Sequence, residues 1–150
     1  MSVSASIVIA LTESIPAVEI IRKLTIFGWN LTNEYGYVNY LPIGDKDNFD
    51  WQAERTMSFE ALTKILNAKE QACEIVGVIL TWKDTNIGGT FLFQPKKSLE
   101  TFSMHISIER QKILLSDGYE ITDFQWYLSK LLPPLNEMWT VEYFSLDQHI

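Results

Sequence analysis

The stretch that decides the fold is Phe102-Ser103-Met104-His105-Ile106-Ser107-Ile108-Glu109. Apolar and polar side chains alternate along it, which is the repeat of a β-strand with one buried face and one face in water. Such strands are typical of antiparallel sheets, because the strands of all-parallel sheets are covered on both faces. The stretch therefore predicts a mainly antiparallel sheet.

Further strands are predicted on both sides of this stretch. Residues 75–82 are almost continuously apolar, so we expect a central strand that is covered on both faces. Residues 29–41 are rich in aromatic and β-branched side chains and predict either one bent strand or a hairpin. Shorter apolar runs predict four more strands, at residues 6–11, 90–93, 113–115 and 139–146.

Two helices are predicted from the residues that flank them. Ser14 is the expected N-cap of the first helix, with Pro16 in its first turn, where a missing amide hydrogen has no effect on the helix. Gly28 can adopt the left-handed conformation that ends this helix. Ser58 is the expected N-cap of the second helix.

The third helix has the spacing of a capping box at Thr122 and Gln125, and Pro133-Pro134 is expected to end it. The predicted order of elements is then β-α-β-β-α-β-β-β-β-α-β. We predict a single α+β domain over residues 1–150, in which a twisted, mainly antiparallel sheet is packed with about three helices.

The charge of the chain limits its partners. Nineteen acidic residues against twelve basic ones give a formal net charge of −7. Such a surface repels phosphate backbones, so we expect no nucleic-acid partner, and it attracts basic proteins. No apolar run approaches the roughly 20 residues that cross a bilayer, so no membrane association is expected.

The expected compartment is the cytoplasm. The only cysteine, Cys73, cannot form an internal disulfide, which favours a reducing environment. The first residues, 1–6, lack the positive charge of a signal peptide, and the apolar run after them is short.

Motifs for catalysis, metals and cofactors are absent from the sequence. Two histidines and one cysteine do not make a zinc site, and no nucleotide-binding or nucleophile motif occurs, so we expect no cofactor, no metal and no catalytic residue. One alternative stays open. His105 and Glu109 lie on the same face of their strand and would form an acid–base pair in a pocket between sheet and helices.

The loop from residue 45 to residue 54 is the candidate binding site. It carries several carboxylates and two aromatic rings, which is what a surface needs to hold a basic protein, because carboxylates steer the encounter and a ring fills a pocket. The predicted partner-binding residues are Asp45, Asp47, Asp50, Trp51 and Glu54. The competing interpretation is a solvated loop whose rings fold back onto the core.

As a whole, the chain resembles a small immunity protein of a bacterial contact-dependent inhibition system or another polymorphic toxin system. The resemblance rests on overall character: an acidic α+β domain with many aromatic residues and one cysteine, ending in a capped helix at residues 121–128 and a strand at residues 139–146. It implies stoichiometric inhibition of a cognate basic toxin domain, often a nuclease, by a monomer or weak homodimer.

Three classes of function follow from the sequence. The first is the immunity protein. The second is a small-molecule-binding protein or enzyme that uses the pocket near His105 and Glu109. The third is an assembly subunit whose hydrophobic edge strands pair with a second copy of the chain.

Overall fold

The fold is described by a computed structural model over residues 3–95 and 100–149. Residues 1–2, 96–99 and 150 lie outside the described residues. The first two belong to the segment 1–6, which was expected not to be a signal peptide. The model confirms the predicted α+β class, with three helices and a mainly antiparallel sheet.

The helices are α1 (Ala17–Phe27), α2 (Phe59–Gln71) and α3 (Phe124–Asn136). The strands are β1 (Ser4–Leu11), β2 (Trp29–Asn30), β3 (Tyr37–Tyr40), β4 (Gln52–Arg55), β5 (Val76–Trp82), β6 (Gly88–Phe93), β7 (Glu100–Ile108), β8 (Lys112–Leu114), β9 (Glu120–Thr122) and β10 (Val141–His149). The predicted order is therefore correct in its three helices and misses two strands, β4 and β9.

Eight strands form one sheet in the order β10-β1-β7-β6-β5-β3-β4, and β2 pairs with β5 beside β3. Every pairing in it is antiparallel. Strands β8 and β9 form a separate hairpin. The strand with the deciding alternation, β7, lies between β1 and β6, and its buried side chains Phe102, Met104 and Ile106 belong to the main core.

The main core lies between one face of the sheet and the three helices. Its largest members include Trp29 and Phe91 from the sheet and Tyr127 from α3, all of them buried. Because the burial of apolar surface is the dominant favourable term in folding, this layer is what fixes the helices against the sheet.

In the described part of the chain, the other face of the sheet carries a second, smaller apolar cluster on the β3–β5–β6 side. There Trp51 packs on a small cluster formed by Leu41, Ile75 and Leu92. A side chain at Gly77 would have its first carbon 2.7 Å from Leu41 Cδ1 and 2.9 Å from Trp51 Cη2, so only glycine permits this approach. Elsewhere on this face, His105 of β7 is exposed and Ser6 and Val8 of β1 are partly exposed.

The predicted start of α1 was wrong. Ser14 is not the N-cap; the helix begins at Ala17, with Pro16 in the cap position and no capping side chain of its own. Instead, the amide of Ala17 donates to Glu70 Oε2 of α2 at 2.9 Å. A carboxylate from a neighbouring helix thus satisfies a free N–H of the first turn and interacts favourably with the positive end of the helix dipole.

The predicted boundaries of α3 were also wrong. The N-cap is Asp123, whose carboxylate accepts from the amide of Trp126. The hydroxyl of Thr122 donates instead to Gln148 Oε1 of β10. The helix does not end at Pro133-Pro134 but continues to Asn136. Since proline has no N–H, the carbonyl oxygen of Lys130 loses its donor at position 134. The indole Nε1 of Trp29 donates to this oxygen at 3.1 Å and replaces the missing bond.

Candidate functional site

The loop between β3 and β4 does not present all of its carboxylates to solvent. Asp45 is only 5% exposed. Its side chain accepts hydrogen bonds from the amides of Asn48, Phe49 and Asp50, the last at 2.7 Å. The Asp50 amide above all lowers the pKa of Asp45, while burial opposes this effect. Asp45 therefore holds the loop in shape, and its carboxylate points into the loop rather than to solvent.

The same loop is anchored to α2 by Lys69, which is fully buried. Its ammonium group donates to the carbonyl oxygens of Pro42 and Asp45 and to Glu74 Oε1, at 2.6, 2.8 and 3.1 Å. Glu74 also accepts from the amide of Gly44, and this bond above all lowers its pKa. Each hydrogen of the ammonium thus has an acceptor, as a buried charge requires.

The other predicted binding residues of the loop differ in exposure. Trp51 is half-buried because its ring packs on the sheet, as the competing interpretation expected. Glu54 is exposed on β4 and accepts from the Tyr40 hydroxyl at 2.9 Å. Asp47 and Asp50 are exposed. These two carboxylates and Glu54 remain accessible, so the loop keeps three of its five predicted site residues as binding candidates.

The predicted pocket between the sheet and the helices is not formed by His105 and Glu109. His105 lies on the sheet face away from the helices, between Ser6 of β1 and Thr90 of β6, and is exposed. Its Nε2 lies 3.4 Å from Ser103 Oγ. Glu109 follows the end of β7 with a positive φ of 44° and lines a different, shallow depression. The two side chains are therefore not assembled between the sheet and the helices.

A polar depression of about 300 Å³ lies at the ends of β2 and β5. Its polar groups bond to one another: Asn86 Nδ2 donates to Glu34 Oε2 at 2.7 Å, and Asn30 donates to the carbonyl of Lys83. These bonds join two turns of the chain. The depression is accounted for by that structural role.

Exposed apolar side chains concentrate in the last quarter of the chain. Among the described residues, thirteen large hydrophobic side chains are exposed, and nine of them lie between positions 113 and 146. They are Ile113, Leu114, Leu115, Tyr119, Ile121, Met138, Tyr143, Phe144 and Leu146. Exposed apolar groups that gather in one region mark an interaction surface more often than single ones do.

The same segment is strongly acidic. Residues 113–149 contain six Asp and Glu and only one basic residue, Lys130. Two of the carboxylates are paired with lysines from outside the segment, Glu120 with Lys112 at 3.1 Å and Glu137 with Lys23 at 2.6 Å. The local excess of negative charge persists after these pairs are counted. We call residues 113–149, which comprise β8 from its second residue, β9, α3 and β10, the C-terminal surface.

A groove runs along the C-terminal surface between α3 and β10. One part, of about 560 Å³, is lined by Phe124, Gln125, Leu128, Ser129, Leu132, Pro133 and Leu146. Leu132 also lines a second part, of about 410 Å³, with Asn136, Val141, Glu142, Tyr143 and Phe144. We call the two parts together the α3–β10 groove; its walls are mostly apolar and its rim carries the Glu142 carboxylate.

The β8–β9 hairpin is joined to the end of β10 by Gln148. Gln148 Oε1 accepts from the amide of Thr122 at 2.7 Å and from its hydroxyl at 2.6 Å. Arg110 Nη1 donates to the same hydroxyl at 3.0 Å. The hairpin, the start of α3 and the end of β10 therefore form one continuous surface.

The sequence predicts a binding site in the loop and does not single out this surface. One signal was available, because the ratio of six acidic residues to one basic residue in the last quarter can be counted without a structure. The exposure of Phe144 and Leu146 had no such signal, since their alternation is the same as that of a buried strand.

Known proteins give no further guide to the site. No protein-family model, curated protein or solved structure is significantly similar to this chain. Within residues 3–95 and 100–149, no group of three or more His, Cys, Asp or Glu side chains is arranged to hold a metal ion. None of the three helices in the described part of the chain is long and apolar enough to cross a membrane.

Proposed function

We propose that this chain is an acidic protein-binding domain that inhibits a cognate basic protein, as the immunity protein of a bacterial toxin system does. The observation that carries the proposal is the coincidence, on the C-terminal surface, of excess carboxylates with most of the exposed large apolar side chains. Protein interfaces combine these two elements, since apolar anchors supply affinity while charges accelerate and orient the encounter.

The C-terminal surface is favoured over the loop as the main contact. The accessible loop carboxylates Asp47, Asp50 and Glu54 are offset by Lys46 and Arg55, and the loop offers one exposed large apolar ring, Phe49. The loop joins β3 to β4, at the opposite end of the strand order from β10. The two regions therefore compete as alternative sites, and substitutions distinguish them.

The test is co-expression with the polypeptide encoded by the neighbouring gene. We expect a one-to-one complex in sedimentation, loss of the growth defect that the neighbour causes by itself, and an affinity that falls as salt rises. A neighbour that neither binds nor arrests growth in the absence of this chain would overturn the proposal.

Two matched charge variants locate the contact. Glu142→Gln with Asp147→Asn removes two charges from the C-terminal surface, and Asp47→Asn with Asp50→Asn removes two from the loop. Asp45 is left unchanged in both, because its carboxylate is structural. We expect the first variant to weaken the complex by about tenfold and the second to change it by less than about threefold.

A further inference from the structure

Among the residues that the structure describes, no strand pairs with the outer edge of β10, so this edge of the sheet can accept a further strand. Strand β10 is the terminal strand of the eight, with β1 as its neighbour on one side. The opposite edge, β4, has only four residues, whereas β10 has nine. Its register with β1 shifts once, between Ala10 and Leu11, and is unbroken from Tyr143 to His149. This run of seven residues is about 23 Å long, and no proline or lysine on it blocks pairing.

The side chains of Tyr143–His149 indicate where the side chains of an added strand would lie. Phe144 and Leu146 pair with Ile9 and Ile7, which are buried at 1% and 0% exposure. Phe144 and Leu146 face the same side but remain 43% and 42% exposed, since the row of side chains stops there. The next side chains in each row would lie in the α3–β10 groove. The groove is thus where the side chains of an added strand would lie.

The charge of the region selects the partner. Glu142 directly precedes the open run, and Asp147 lies two residues before its end with Oδ2 2.8 Å from His149 Nε2, on a surface with excess carboxylates. A second copy of this chain would bring two acidic surfaces together, which is unfavourable. A strand with Lys or Arg near its ends would pair with both carboxylates.

We propose that the partner adds an extended strand to β10 along Tyr143–His149, with apolar side chains at alternate positions in the α3–β10 groove and cationic side chains beside Glu142 and Asp147. Main-chain hydrogen bonds hold the strand, and the groove selects its side chains. The inference rests on the proposed function for the identity of the partner as a basic protein, but the mode of binding can be tested separately.

The test uses a nine-residue peptide of alternating Lys and Val as the probe, with amide exchange of the intact chain followed by NMR. We expect the peptide to slow exchange at alternate amides within Tyr143–His149 and to shift the signals of Leu128 and Leu132. The matched control peptide carries N-methyl groups on one edge of its backbone and should bind at least about tenfold more weakly. Equal binding of the two peptides, no binding, or protection confined to the Asp47–Asp50 region would overturn the inference.

Two variants keep the test independent of folding. Leu146→Arg places a cation in the groove and should abolish peptide binding. Asp147→Lys leaves the apolar walls unchanged and should weaken binding by about tenfold, whereas Asp47→Lys on the loop should not affect it. Dimerisation that Leu146→Arg abolishes would overturn the inference and assign the edge to self-pairing.

The two proposals fail in different ways. If the neighbouring gene product binds and is inhibited, yet protects the loop rather than β10, the proposed function stands and strand addition is wrong. If the peptide adds to β10 but no basic protein is inhibited, strand addition stands and the inhibitor function is wrong.

Discussion

The indole of Trp29 and the carbonyl of Lys130 are joined by a hydrogen bond of 3.1 Å, across 101 positions of sequence. The carbonyl is free because Pro134, four residues later, has no N–H to donate. Trp29 is buried, with its ring edge-on to Trp82 and Phe91 at 5.5 and 5.4 Å between centroids. One side chain thus fills the core and supplies the donor that Pro134 lacks, in the helix whose residues line the groove.

A double-mutant cycle tests this relationship. Trp29→Phe leaves the Lys130 carbonyl without its donor, which together with the lost ring volume should lower the free energy of unfolding by about 2 to 4 kcal/mol. Pro134→Ala restores the backbone N–H, so in that background the loss on Trp29→Phe should be smaller by about 1 kcal/mol. Urea unfolding of the four proteins measures the coupling. If the two substitutions change the free energy of unfolding additively, to within about 0.5 kcal/mol, the indole of Trp29 does not replace the N–H that is missing at Pro134.

The second prediction concerns Lys69. Lys69→Met keeps most of the side-chain volume but leaves Glu74 and two backbone carbonyls without their cationic donor, so we expect a loss of about 3 kcal/mol in unfolding free energy. The matched control is Lys64→Met, at an exposed position of the same helix, which should change stability by less than about 0.5 kcal/mol. Equal effects at both positions would show that the buried ammonium does not anchor the loop.

The third prediction is the response of stability to acid. Hydrogen bonds from backbone amides lower the pKa of both Asp45 and Glu74 in the folded state, from ordinary values of 3.8 and 4.5. Their stabilisation is therefore complete above the ordinary values and is lost as the pH falls through the lowered ones. We expect the melting temperature to fall steadily below about pH 5.

Glu74→Gln identifies the source of this response. The variant should be less stable than the parent at pH 7, and the difference between them should shrink as the pH falls below 4.5. Asp47→Asn, at an exposed position of the loop, is the control. It should leave the dependence of melting temperature on pH unchanged. Melting followed by circular dichroism between pH 2.5 and pH 7 would reveal a constant difference if the linkage were absent.

The sequence predicted those parts of the fold that depend on local periodicity. The alternation in β7 and the apolar run of β5 correctly indicated an antiparallel sheet with a central covered strand. The strand β4 was missed because an exposed edge strand needs no alternation of apolar residues, and its sequence, Gln52-Ala53-Glu54-Arg55, has none.

Helix ends were predicted unevenly: Ser58 caps α2 and Gly28 ends α1, as expected, whereas the starts of α1 and α3 were wrong. Ser14 and Thr122 have the right chemistry for caps, but Glu70 caps α1 from another helix and Asp123 caps α3. The burial of Asp45 could not be predicted from the sequence either, because it depends on how the loop folds around its carboxylate. Exposure of the β10 edge depends on strand order, which local patterns do not encode.

The last prediction separates the roles of charge and apolar contact in the proposed complex with a basic partner. Removing the Glu142 and Asp147 charges should lower the association rate constant by about three- to tenfold at low salt, since surface charges act mainly on the encounter. The difference should vanish near 0.5 M salt, where the screening length is only about 4 Å. Phe144→Ser should instead leave the association rate constant unchanged and raise the dissociation rate constant by about tenfold, because an anchor acts once the surfaces are in contact.

Surface plasmon resonance at several salt concentrations measures both rate constants. The Asp47→Asn, Asp50→Asn variant is the control that removes an equal charge. If that control slows association as much as the C-terminal variant does, net charge rather than the position of the carboxylates steers the partner.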